Sequence, residues 1–416
     1  MAMSAPLLNS TGTATITDSG SSWTNNGEMT VGENGTGSIS LADSSALTDQ
    51  GDATLGSQAG SQGSATLAGT SSWQIAGALS VGGKGQGTVT VQTGSLLAVT
   101  GDTDIGKSGA AGLLTVNGTG NAVGSTKFQY GGDLIIGKAS NGQLNITNGG
   151  LVEATSGGSG AVFLAETSGV TGTLNIDNTG SELTATALTL GGSSSTAGGT
   201  ATATLAGGGY LNVSSKIKLY SGSTLDVTGG TGNVGTSSGA IKTGTLAVNK
   251  DGTLTGAGTI KGNVDNIAGT VTPGGSNPGT LTINGSYLQS GGALDILLKG
   301  TGTGQFSQLD STGTVALTGG QIIFNFAGGY LPVKGDSVAF LDPPTGVTLQ
   351  NVQYSYTGAA PGFLFNVSST SSGNGLVFTA LNNAVAPIPE PATLGLLALG
   401  CLGLVKRRRR MGLRAQ

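Results

Sequence analysis

Asp102 and Asp104 stand two residues apart in Gly101-Asp102-Thr103-Asp104-Ile105-Gly106. On an extended strand, residues i and i+2 point to one face. Two carboxylates held at a fixed separation are what acid–base cleavage of a glycosidic bond requires. The competing reading is that both acids sit at a turn edge and are solvated. Asp52, Asp102 and Asp133 share one position of a repeated phrase and could form weak calcium sites. The remaining inventory argues against catalysis. The chain has no histidine, so a serine or cysteine nucleophile lacks its usual base. A β-elimination lyase needs a strong cation beside its uronate, and all five arginines (Arg407 to Arg410 and Arg414) lie in the last ten residues. Zinc ligands are lacking, and so is the calcium-binding nonapeptide Gly-Gly-x-Gly-x-Asp. No enzyme activity, cofactor or metal is expected.

A second constellation is at the C-terminus. Pro389-Glu390-Pro391 is followed by Ala392 to Val405 without a charge, then by Lys406-Arg407-Arg408-Arg409-Arg410. An uncharged, mostly apolar run stopped by five cations is the pattern of a stop-transfer segment, because positive charge resists translocation. Fourteen helical residues reach about 21 Å. That is short for a bilayer core, so the cations would snorkel to the headgroups. The alternative is an apolar core helix with a basic solvated face. Cys401, the sole cysteine, reads as a small apolar filler within this run, and no disulfide is available to the rest of the chain.

The order of Pro-Glu-Pro, apolar segment and arginine cluster from Ile388 to Met411 resembles the PEP-CTERM sorting signal of Gram-negative bacteria. The resemblance implies that an exosortase, an integral-membrane cysteine protease-transpeptidase, recognises Pro389, Glu390 and Pro391 and removes the tail. It also implies that the protein passes to the cell surface or the extracellular matrix. Membrane contact would then be transient and confined to the tail. Export needs an N-terminal signal, yet Met1 to Gly20 has no Lys or Arg and no long apolar run. A late-started reading frame is expected, with residues 1–10 a remnant.

What must be positioned by the other residues is a long body. Of 416 residues 79 are Gly, with 9% charged and 4% aromatic. High glycine without a period means disorder; with a period it means tight turns. Before Ala392 the body holds 11 lysines against 21 acids, near −10, so the basic face that nucleic acid requires is missing. The period is present. Gly27-Glu28-Met29-Thr30-Val31-Gly32 returns as Gly51 to Gly56, Gly77 to Gly82, Gly101 to Gly106 and Gly132 to Gly137, with weaker copies at Gly160 to Ala165 and Thr186 to Gly191. The spacing is 24 to 31 residues. A second phrase follows each copy, as in Gly37-Ser38-Ile39-Ser40-Leu41 and Gly142-Gln143-Leu144-Asn145-Ile146. Its alternation is that of a half-buried strand. A third, looser strand comes next, as at Ala46-Leu47 and Leu96 to Val99.

Three short strands per repeat without helices read as a parallel β-helix. Regular spacing argues against a disordered chain. The lack of long hairpins with Asn-Gly turns argues against a β-sandwich. The repeats are assigned to 11–241. From Lys242 to Leu341 the Gly-Thr-Leu strands, Gly269-Thr270-Val271-Thr272-Pro273-Gly274 and Phe306-Ser307-Gln308-Leu309-Asp310 resemble the passenger repeats of autotransporter adhesins, which implies a right-handed β-helix. No membrane-barrel sequence follows. Residues 342–381 are aromatic-rich (Tyr354, Tyr356, Phe363, Phe365, Phe378) and are expected to form a β-rich cap, the alternative being a ligand platform. Residues 382–388 read as a linker and 389–416 as the sorting signal with its short transmembrane helix. The function expected is a non-catalytic surface or matrix repeat protein, adhesive or associated with exopolysaccharide or a cell-surface glycan. The alternative is a polysaccharide-active β-helix enzyme, since β-helices also host lyases and hydrolases.

Overall fold

The structure is a computed structural model that describes residues 2–3, 10–119, 125–155, 160–234 and 244–387. Every regular element among the described residues is a β-strand. The strands stack into a parallel β-solenoid with three faces. The widest face is one sheet of 14 strands, each the counterpart of its neighbour one coil away. It begins with Thr11–Ile16, Thr36–Leu41, Gln62–Leu67 and Gln86–Gln92 and ends at Gln353–Thr357. The second face carries Ser22–Asn25, Ala46–Asp49, Ser72–Ile75 and Leu96–Val99. The third carries the short strands Met29–Val31, Ala53–Leu55, Leu79–Val81 and Thr103–Ile105. These last are the repeated glycine phrase. The second and third faces merge where Glu182–Leu190 and Tyr210–Leu219 run through the corner without a break, with a register shift between Ala185 and Ala187.

Register explains the spacing seen in the sequence. Val31 pairs with Leu55, Leu55 with Val81, Val81 with Ile105, and the column continues through Ile136, Leu164 and Leu190. All seven side chains are fully buried. On the widest face Leu41, Leu67, Val91, Val116, Ile146, Ile176 and Leu205 form a second such column. Branched residues suit this surface because their stiff side chains pack well on a pleated strand. Full burial of one Val, Leu or Ile contributes roughly 1.5–3 kcal/mol. A single coil has nothing to bury these against, so neighbours stabilise one another.

Glycine is placed by the stacking. Gly56 ends its phrase in the left-handed region at φ 71°, and a Cβ there would lie 2.1 Å from the Gln86 carbonyl oxygen of the next coil. At the equivalent position of the weaker copy, Ala165 takes φ 54°. Alanine tolerates that angle only at a cost.

The core turns polar in the later coils. Asn266 and Gln289 occupy the inward column between Val248 and Leu317. The Asn266 amide donates to the Ala293 carbonyl (3.0 Å) and its oxygen accepts from the Gly269 N–H (3.0 Å). The buried Tyr287 hydroxyl donates to Gln289 Oε1 (2.8 Å), and the Gln289 amide donates to the Gln321 carbonyl (3.1 Å). Each buried polar group is thereby satisfied, as a low-dielectric interior demands.

Parallel stacking stops at the C-terminal end. Ser337–Leu341 follows Gln308–Ser311 in parallel, but pairs antiparallel with Leu376–Ala380, which pairs antiparallel with Phe365–Ser369. Phe324, Phe340 and Phe378 are fully buried beneath this hairpin. Phe324 lies 4.7 Å from Phe378 and 5.2 Å edge-on from Phe340. Phe363 lies edge-on to Phe326 and Tyr356, 5.4 Å from each. The rings face the open end of the core, so this segment seals it. A bare end would present unpaired strand edges.

Val81→Asp tests the stacking. Val81 is fully buried between Leu55 and Ile105, so an unpaired charge there should cost about 3–5 kcal/mol. Limited proteolysis should find new cuts in the coils on both sides of residue 81. Unchanged protease resistance and an unchanged melting curve would contradict the register.

Candidate functional site

The carboxylates singled out in the sequence do not form a free pair. Asp102 is exposed, and its Oδ1 accepts the Asp133 N–H of the next coil at 2.9 Å. Asp52 does the same to the Ala78 N–H at 2.8 Å. The shared repeat position is thus a link between coils: one carboxylate accepts a backbone donor that the next turn would otherwise leave to water. Asp104 is buried at 4% exposure although it is the middle, outward residue of its strand. Lys138 lies across it, with Nζ 3.0 Å from Oδ1, and Lys107 approaches Oδ2 at 3.8 Å. Lys107 also donates to Ser80 Oγ at 3.0 Å. Both lysines follow the closing glycine of a phrase, which turns them back over the short-strand face. The sequence alone placed Asp102 and Asp104 on one face. It did not reveal that one binds backbone and the other is neutralised by cations 3 and 34 residues away.

Other carboxyls are displaced upward by burial. Asp265, Asp295 and Asp310 all titrate above the usual carboxylate value because of desolvation, with Asp342 adding repulsion at Asp310. They lie on Asn263–Asn266, Ala293–Leu298 and Gln308–Ser311, and none is the register partner of another. No acid–base dyad results. Among the described residues no three His, Cys, Asp or Glu side chains converge as a metal site would need.

The surface recesses are shallow. One of about 430 Å³ runs along the widest face past Thr88, Leu113, Gln143 and Thr173. A second of about 500 Å³ lies beside Thr270, Gln321 and Gln353. No charged or aromatic side chain lines either one. An outward row of the widest face runs alongside the first recess. Thr15, Ser40, Thr66, Thr90, Thr115, Asn145 and Asn175 are in register, one per coil. Asn175 donates to Asn145 Oδ1 at 2.8 Å, and Gln143 to the same oxygen at 3.0 Å.

The sorting residues Pro389, Glu390 and Pro391 and the cations Lys406, Arg407, Arg408, Arg409 and Arg410 lie outside the described residues, as does the apolar run expected to cross a membrane. Among the described residues no helix is long and apolar enough to span a bilayer. What is described is the root of the tail. Asn382 donates to the Gly362 carbonyl (3.0 Å) and accepts from the Leu364 N–H (2.8 Å). Asn383 accepts the Lys334 N–H (2.8 Å), and the Ala384 N–H donates to the Pro332 carbonyl (2.7 Å). The segment read as a linker is therefore tied to the body as far as Val385, whose carbonyl accepts from Ala360 (2.8 Å). Composition gave no hint of this, because each partner lies 18 to 52 residues away in the chain.

Residues 387–410 match the family model of the PEP-CTERM protein-sorting motif. The chain thus ends in a PEP-CTERM sorting signal, which implies processing by an exosortase and an exported protein sorted to the cell envelope or surface. No curated protein matches the chain.

One buried carboxyl yields a pH prediction. Asp49 is completely buried in the first coils; Asn25 donates to its Oδ1 at 2.8 Å and Oδ2 has no partner. Burial raises its pKa above the usual carboxylate value, against the opposing pull of the Asn25 bond. A carboxyl whose folded pKa is raised adds stability below its unfolded value and loses that contribution as pH rises through the folded one. The melting temperature of the parent should fall as pH rises above about 4, and Asp49→Asn should flatten that slope and melt higher at pH 7. A buried polar group without a partner costs about 1–3 kcal/mol, which sets the scale. Parallel pH profiles for parent and variant would disprove the assignment.

Proposed function

We propose that this protein is a non-catalytic repeat rod of a Gram-negative cell surface or extracellular matrix, released from a transient inner-membrane anchor by an exosortase. Its role is adhesion or biofilm integration through contact with exopolysaccharide or a cell-surface glycan. The observation that carries the address is the sorting motif at 387–410. The observation that favours a neutral glycan is the widest face. One of its outward rows, Thr15 to Asn175, offers a hydroxyl or an amide in every coil and no charge. Parallel strands repeat at about 4.8 Å, so a polymer laid along the rod meets the same donors and acceptors many times. Each contact is weak and the sum is not.

In this reading the tail is a linear signal. Glu390→Ala breaks the motif and leaves the apolar run intact. In a host with a matching exosortase and a supplied signal peptide, the variant should stay full-length and membrane-held while the parent is released. Release of both at equal rate would refute exosortase recognition. Neutralising Arg407 to Arg410 should weaken the stop-transfer step, because the cost of moving those charges across the bilayer is gone.

The binding role is read by affinity electrophoresis. The protein should be retarded in gels containing the host's exopolysaccharide, and retardation should weaken when Thr66 and Thr90 are both changed to Glu. Incubation with acidic and neutral polysaccharides should release no reducing ends and no unsaturated uronate. Turnover abolished by one Asp→Asn change would establish the enzyme alternative instead.

A further inference from the structure

Eight large hydrophobic side chains are conspicuously exposed among the described residues, and six of them are Val333, Leu349, Tyr354, Leu364, Leu381 and Val385. Four of those six surround the root of the tail. The Leu381 N–H donates to the Leu364 carbonyl at 2.9 Å. This extends by one pair the antiparallel register in which Phe365 faces Ala380. Phe365 packs on Phe378 at 5.5 Å, so its neighbour Leu364 points the other way, beside Leu381. Val385 is tied through its carbonyl to Ala360, and Ala384 to Pro332, next to Val333. The four are between 49% and 64% exposed. In the three segments that meet here, 330–336, 359–366 and 380–387, the charged residues are Lys334 and Asp336, and the Asp336 carboxylate is occupied by the Val333 N–H (3.0 Å) and the Tyr330 hydroxyl (2.7 Å). A contiguous apolar surface of this kind on a chain otherwise faced with hydroxyls marks an interaction site.

The chain length beyond the root says what covers it. The body is tied down to Val385, and the uncharged run begins at Ala392. From Val385 to Ala392 is seven residues, at most about 25 Å even when fully extended. Headgroups occupy about 5–7 Å on each side of the hydrocarbon core. While the tail is in the bilayer, the end of the rod that carries Val333, Leu364, Leu381 and Val385 is held within about 25 Å of the hydrocarbon core.

We infer that this end is a membrane-docking foot: Val333, Leu364, Leu381 and Val385 enter the headgroup region of the bilayer that holds the tail, with Lys334 at the phosphates. The inference rests on the tail acting as a membrane anchor. Apolar side chains at an interface are buried by several ångströms of lipid, and a neighbouring cation is drawn to anionic headgroups. Cutting near Pro391 removes the tether and leaves only the foot, too small to hold the rod, so the foot orients the substrate before cleavage and allows release afterwards.

The full chain carrying Leu364→Trp, and separately Leu381→Trp, is reconstituted into phosphatidylethanolamine–phosphatidylglycerol vesicles with brominated or ordinary acyl chains. The natural tryptophans Trp23 and Trp73 are in the first coils and supply a lipid-insensitive background; Gln74→Trp is the remote control. Both foot tryptophans should shift to shorter wavelength and lose emission in brominated lipid, and Gln74→Trp should not. Unquenched foot tryptophans in protein that floats with the vesicles and resists carbonate would overturn the docking foot alone. Protein that does not float would overturn the anchor reading and the foot with it. A blue shift that grows with protein concentration and is indifferent to lipid would assign the patch to a second copy and also overturn the foot.

Discussion

Everything in this molecule follows from one requirement, that each coil hydrogen-bond in register to the next. Parallel pairing sets a coil rise of about 4.8 Å. With 14 strands in the widest sheet, the stack is on the order of 60 Å long. At that rise a Cβ at Gly56 would run into the Gln86 carbonyl of the next coil, which is why Gly56 cannot be exchanged freely. Register also ensures that an inward residue meets an inward residue. Val31, Leu55 and Val81 then form a column without any long-range design. Outward residues obey the same rule, and Thr66 and Thr90 become neighbours for the reason that Leu67 and Val91 do.

Where the inward column stops being apolar, two outcomes are seen. Asn266 and Gln289 are joined by Tyr287 and three backbone carbonyls into a network with its donors used. Asn25 and Asp49 also share the core, but Asp49 keeps one oxygen without a partner. The first arrangement fixes register, since a slip of one coil would strand each polar group against hydrocarbon. The second makes the N-terminal coils sensitive to pH. A solenoid depends on nearest neighbours, so a weak coil is felt by the coils on both sides of it.

The strand pattern was legible in the sequence because register repeats it. Alternation in Gly142-Gln143-Leu144-Asn145-Ile146, the spacing of the closing glycines and the aromatic enrichment near the C-terminus each carry local physical meaning. What stayed hidden depends on partners that local pattern does not name. Asp104 is outward by alternation yet buried, because Lys138 arrives from the next coil. Asn382 and Asn383 look like linker residues, and only their hydrogen bonds to Leu364 and Lys334 make them part of the body. The sorting signal was readable for the opposite reason. A linear motif recognised by a protease must carry its information in consecutive residues.

This contrast explains why the body ends where it does. A residue that joins the ladder surrenders its backbone donor, and proline has none to give. Pro387, Pro389 and Pro391 follow directly after the last tied residues, so three of the five residues 387–391 have no backbone N–H to offer a ladder. Glu390 stands between two of them, the first acid since Asp342. The asparagines just before it, Asn382 and Asn383, do the reverse, fastening the chain to the cap with side-chain and backbone bonds. The ties up to Val385 and the prolines that follow thus set the cap apart in sequence from the sorting motif at 387–410, so the residues that build the fold and the residues that carry the signal hardly overlap.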